Sequence, residues 1–426
     1  MAVACRLMGF LLLTGLVCHG VASGLVLGGE TRPFLESGFG HNTPGGQGGS
    51  ILRVTTLASE GPGSLRQALE AKGPRIIVFD VAGVIDLNRK SLRIREPFVT
   101  LAGQTAPAPG ITLIRGGIFI TTHDVVIQHM KVRPGDAGQP RKSGWEVDGI
   151  STSGGEAYNV LIDHCSVTWA TDENVSVSGP RDQGPEETSH RVTIRHCLIA
   201  EALRNATHAK GPHSMGSLIH DNCRDVAIIA NLYAHNNARN PYFKAFTTGV
   251  IVNNVIYDPG SNAIQLGYAA SEWVNTGLTP EPPRVSVVGN VFLPGVSTKP
   301  RLAMVDRPGE VFLLDNLAEN QRGQETALTG KEVRLLESRP VWPRDLNPLP
   351  AARVVEYIAR HVGARPRERD AVDERIISNL LQRQGRIIDS QDEVGGYPVV
   401  QPVTRKLKIP DSQIEAWLAR LAEELE

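Results

Sequence analysis

Apolar residues recur at every second position in a series of short segments: DVVIQHMK at 124, NVLIDHCS at 159, RVTIRHCL at 191, DVAIIANL at 225, GVIVNNVI at 249, RVSVVGNV at 284 and EVFLLDNL at 310. A period of two is that of a β-strand with one buried face. The anchors are Val125, Val160, Val192, Val226, Val250, Val285 and Val311, spaced 24 to 35 residues apart. That spacing is too long for hairpins, and no amphipathic helix fills the gaps as a βαβ crossover requires. Short strands on a wound coil fit better, with equivalent residues stacking about 4.8 Å apart. The pattern therefore predicts an all-β chain, a right-handed parallel β-helix. The seventh place of the repeat, Met130, Cys165, Cys197, Asn231, Val255, Asn290 and Asn316, predicts a column of stackable side chains.

The flanks follow other periods. SLRQALEAKG at 64–73 has helical spacing and is expected to cap the open end of the solenoid, after a glycine-rich stretch at 38–49 read as a flexible turn. That stretch lacks the GKS or GKT ending of a phosphate loop. Beyond about 322 the chain is first proline-punctuated, and then AARVVEYIARHV, DERIISNLLQR and SQIEAWLARLAEEL predict helices. Arg6, the apolar run 7–17 and the small residues GVASG at 20–24 predict a secretory signal cleaved near 22–24, and a secreted or periplasmic protein. The expected organisation is a signal peptide at 1–23, a β-helix domain at 24–322 and a helical C-terminal tail at 323–426.

Composition adds exclusions. With 44 basic against 45 acidic residues the net charge is −1, which favours neither a nucleic-acid nor a membrane partner. Three cysteines remain outside the signal, Cys165, Cys197 and Cys223, too few for a disulfide framework. The first two share a repeat position, which predicts stacked buried thiols.

Candidate chemistry gathers around Val160. Glu146 and Asp148 lie two apart, so both carboxylates can face one way if extended, and Asp172 can converge on them. Three oxygen ligands and water suit calcium rather than zinc. Asp172 follows its anchor by 12 residues, as does Arg204, and Arg239 follows by 13; that register would stack the three. Lys210 and Lys244 add charge nearby. A solvated acidic face with structural ion pairs would use the same residue types, and spacing leaves both open.

The segments VLIDHCSVTWATDENVSV, RVTIRHCLIAEAL, HAKGPHSMG and NLYAHNNARNPYFK resemble polysaccharide lyase family 1, the pectate lyases, from about residue 38 to 305. The resemblance implies an enzyme that cleaves pectate by calcium-assisted β-elimination, and the expected state is a monomer. It makes Arg239 the base and Glu146, Asp148 and Asp172 the Ca2+ ligands. Lys210, or Arg204 on an ungapped reading, would contact substrate together with Lys244, the second basic position of RNPYFK. Two positions depart from the family: Ser176 stands where a second aspartate is common, and Lys244 replaces an arginine, losing bidentate recognition. An arginine base implies an alkaline optimum. Other uronans, methylated pectin and a non-catalytic carbohydrate-binding β-helix are the alternatives. A hydrolase is disfavoured because Asp172 and Glu173, adjacent on an extended chain, would face opposite ways.

Overall fold

The computed structural model describes Phe34 and residues 37–426; the expected signal at 1–23 lies outside the described residues. Each full coil contributes one strand to each of three sheets of 11, 10 and 8 strands. A representative coil runs Tyr158–Asp163 in the first sheet, Ser166–Thr168 in the second and Glu173–Ser178 in the third. Neighbouring coils pair in parallel, so the chain is a right-handed parallel β-helix. The inward faces of all three sheets share one core of fully buried residues such as Val125, Val160, Val192 and Ile228.

The repeat explains the corners. Its sixth place is His129, His164, His196, Ala230, Asn253, Gly289 and Asp315, and every one has a φ between 48° and 67°. A single left-handed residue turns the chain sharply from the first sheet toward the second at small cost when its neighbours fix it. The anchors pair in register, Val125 with Val160, Val160 with Val192 and Val192 with Val226.

One segment is shifted. Gly249, not Val250, pairs with Val226 and Val285. The repeat there begins at Thr248, and its seventh residue is Asn254 rather than Val255. This correction completes an asparagine ladder: Oδ1 of Asn231, Asn254, Asn290 and Asn316 each accepts the backbone N–H of the preceding coil's seventh residue. Asn254 Oδ1 also accepts from Asn231 Nδ2 at 3.0 Å, and its own amide donates to the Ile228 carbonyl at 3.0 Å. Asn254→Leu is therefore expected to cost about 2–5 kcal/mol, because buried donors lose their acceptors. Urea melts would show this, and a loss under about 1 kcal/mol would mean that the ladder is not a stabilising unit.

The N-terminal end is covered as the periodicity predicts. Helix Leu65–Glu70, N-capped by Ser64, buries Leu65, Ala68 and Leu69 against the first coil. The 38–49 stretch is not a loose turn. Two of its glycines lie against the backbone of first-sheet strands, Gly40 on Val160 and Gly46 on Arg75, where a Cβ would collide with a carbonyl oxygen. The coil also extends past 322, since Val333–Leu335 pairs with Gly309–Leu314. The tail helices Ala351–His361 and Ala371–Gln382 bury Val354, Ile358, Ile376 and Leu380 over the outer face of the second sheet. Asp373, fully buried, accepts from Arg133 at 2.8 Å and from the Ser166 hydroxyl at 2.5 Å, fastening the second of these helices. No helix among the described residues is long and apolar enough to cross a membrane.

Candidate active site

Most corners between the second and third sheets are tight, and the two longest excursions are residues 134–149 and 201–214. They flank the coil of Asp172, and they are where the candidate groups gather. Glu146, Asp148 and Asp172 line one open groove with Ser151, Phe119 and Arg93.

Asp148 is the most constrained. Its Oδ1 accepts the Glu173 backbone N–H at 3.0 Å, and its Oδ2 accepts the Ser176 hydroxyl at 2.5 Å. Ser176 thus orients Asp148 in place of adding a carboxylate. Burial, and then the negative charge of Asp172, push the Asp148 carboxyl up to about 7. Burial also acts on Asp172, but there a 2.7 Å contact with His213 and the charge it can carry hold the carboxyl below its ordinary value.

Glu173, almost fully buried, is the group sequence reasoning missed. One oxygen each of Asp148, Asp172 and Glu173 lie within 4.8 Å of one another. The expectation that Asp172 and Glu173 face apart fails because Asp172 precedes the strand Glu173–Ser178, so strand alternation does not govern it. Glu146 lies in the groove, but its Oε1 accepts the Ala209 N–H at 2.8 Å.

Arg239 joins from two coils away. Met215 pairs with Glu173 on one side and Ala238 on the other. Gly216, the intervening residue beside Arg239, brings no side chain, and the Arg239 guanidinium forms an ion pair with Glu173. Burial lowers the pKa of Arg239, while Asp172, Tyr242 and Asp148 oppose that shift.

The other basic residues fare differently. Arg204 does not stack with Asp172 and Arg239: it lies in the 201–214 excursion, not at a strand start, and its Nε meets Asp389 of the tail at 3.2 Å. Counting from the first-sheet anchor assumed equal corners, and this corner is long. Lys210, exposed on the same excursion, has its backbone N–H bonded to His208 Nδ1 at 3.2 Å. Lys244 is buried, with its ammonium 2.6 Å from Glu272 and 3.0 Å from Asp221, so its charge is taken up by protein carboxylates. The tail buttresses both excursions, Asp389 through Arg204 and Asn205, and Tyr397 through the Pro134 carbonyl at 2.6 Å.

A β-helix that gathers three converging carboxylates and a partly buried arginine at the edge of its third sheet, beside an open groove, defines a solenoid built to act on a charged polysaccharide. Over 375 residues the chain is 31% identical to the probable pectate lyase C of Emericella nidulans, covering 84% of this chain and 78% of that protein. It is 30% identical over 394 residues to the probable pectate lyase C of Aspergillus terreus, covering 89% and 83%. The chain belongs to the pectate lyase family. Among solved structures it is similar to the cedar pollen allergen Jun a 1, with a TM-score of 0.54 at 17% identity, over 76% of this chain and 92% of that one. A pectate lyase solved for its substrate specificity and anti β-elimination mechanism matches with a TM-score of 0.53 at 15% identity, over 78% and 97%. At such identities the likeness speaks to the fold. No family model matches the chain.

Proposed function

We propose that this protein is a secreted, calcium-assisted lyase that cleaves polygalacturonate by β-elimination, with Arg239 as the base. The observation that carries the reading is the convergence of the Asp148, Asp172 and Glu173 carboxylates, with Arg239 paired to Glu173, beside the groove that Asp148 and Asp172 line. The N-terminal pattern of Arg6, apolar run and small residues supports export.

The donor set of Asp148, Asp172 and Glu173 fits calcium, since it offers oxygen ligands only and brings one oxygen of each within 4.8 Å of the others. Asp148 and Asp172 would hold it, with Glu173 or Glu146 completing the set. Bound there, calcium would neutralise a substrate carboxylate and so stabilise the charge that develops as the neighbouring C5 proton leaves.

The chain's own groups do the rest. Arg239, partly buried and aimed by Glu173, would in its neutral form take the C5 proton as the C4–O bond breaks and a C4–C5 double bond forms, the departing oxygen taking a proton from solvent. Lys210, on the exposed rim, would bind a uronate carboxylate. Lys244 would hold the loop bearing Glu272 and leave substrate binding to others, and Arg204 would brace the excursion against the tail.

The test is ultraviolet absorbance of the unsaturated product on polygalacturonate at alkaline pH, with and without calcium. Expected is a rise that chelator abolishes and added calcium restores. Reducing ends appearing without that absorbance would instead show hydrolysis by the carboxylate cluster, and no cleavage of pectate, pectin or alginate would favour a binding-only β-helix.

A further inference from the structure

We infer that Arg93 and Phe119 form a distal subsite for a uronate of the same polysaccharide chain, about three coils from the reaction centre toward the N-terminal end; this rests on the uronan-lyase reading above. The third sheet keeps strict register: Arg93 pairs with Phe119, Phe119 with Ser151, and Ser151 with Ser176. Ser176 is the residue whose hydroxyl holds Asp148. The row thus runs along the face of one sheet from the acidic cluster to Arg93, a distance of about 14 Å at the ordinary strand spacing. That step is comparable to the advance of one sugar along a pyranose chain, so the row offers about one position per sugar.

The groove is continuous over this span. Arg93 and Phe119 line the same hollow as Glu146, Asp148 and Asp172, and Arg93 also lines the next hollow toward the N-terminal end, with Arg95. The Arg93 guanidinium carbon sits 5.0 Å from the centroid of the Phe119 ring, an arrangement that orients the cation while leaving its edge to solvent. Arg93 and Arg95 are both exposed and line the same hollow. By contrast Arg66, which lines the adjoining hollow, spends its guanidinium on the carbonyls of Ser59, Lys90 and Ser91.

An oriented, solvent-facing guanidinium matches a carboxylate bidentately, and the exposed part of the Phe119 ring offers an apolar surface to a sugar. Between them, Ser151 is small enough to let a chain pass. The occupant is therefore an anionic polysaccharide long enough to reach from Asp172 to Arg93.

The experiment compares kcat/KM on galacturonate oligomers of three and seven sugars. In Arg93→Ala the long-to-short ratio is expected to fall about tenfold, the equivalent of about 1.4 kcal/mol for one charge-assisted contact. Arg93→Lys should recover part of it. A ratio equal to that of the wild type would overturn the subsite. Migration in native gels cast with polygalacturonate provides a readout independent of cleavage. Should the wild type release no unsaturated product, the lyase reading would fail; weaker retardation of Arg93→Ala would still support the subsite, and equal retardation would sink it.

Discussion

Arg239→Ala is expected to lower unsaturated-product formation on polygalacturonate by about 10²–10⁴-fold at alkaline pH, the range for loss of a positioned base. The fall should sit in kcat, because Arg239 would act on the departing proton while Lys210 and the carboxylates bind the chain. Removing the guanidinium also leaves Glu173 buried without its ionic partner, which itself costs stability. Two controls separate the effects. Arg239→Lys restores a positive charge near Glu173 and should recover stability while recovering little activity. Arg239→Ala with Glu173→Gln removes the orphaned charge and should fold well yet stay inactive. Appreciable kcat in that double variant would show that Arg239 is a structural ion pair and that another group takes the proton.

The pH dependence belongs to the same argument. Burial works to lower the Arg239 pKa, and Asp172, Tyr242 and Asp148 work to raise it. A cation held between Asp172 and Asp148 would offset their pull and tip the balance toward a neutral guanidine, and a guanidinium gives up its proton only toward alkaline pH. The activity should therefore rise toward alkaline pH, and the rise should be lost with Arg239.

How much of this could be read from the chain depended on whether a feature is local. The first-sheet strands were legible because each carries its own alternation, and the helical tail because its segments have periods of their own. The register slip at Gly249 escaped because GVIV and TGVI both alternate; only the neighbours' asparagines decide, and Asn254 falls into their column. Third-sheet strands such as Leu92–Ile94 are too short to show a pattern, so the row from Arg93 to Ser176 exists only once coils are stacked. Arg204 was misplaced by an unequal corner. Glu173 and Asp172 were read as facing apart by an alternation rule that begins one residue too late to apply, and Lys244 was credited with a free charge because its partners Asp221 and Glu272 are remote in sequence.

The protein should lose several kcal/mol of stability as pH falls from about 6.5 to about 4, before its carboxylates protonate in bulk. His129, His164 and His196 occupy the sixth place of three successive repeats, and their rings stack, with centroids 5.2 and 4.4 Å apart. Burial pushes His129 down to about 4 and His164 down to about 3. Asp163, at 2.9 Å from both His164 and Arg195, faces the stack from its own sheet, and Glu426 of the C-terminal helix approaches His129 at 3.8 Å and His164 at 3.6 Å; Arg365 adds a cation near His129. Because the folded pKa values lie below that of free histidine, the unfolded chain gains protons first. The stability is complete above about 6.5 and drains away as pH falls toward about 4 and about 3, at up to about 1.4 kcal/mol per unit for each ring. Urea melts at pH 7, 6 and 5 measure the slope. His164→Asn suits the left-handed corner and removes one titrating ring, so it should flatten the slope by about one proton. An unaltered slope in that variant would mean that the stack is not what fails in acid.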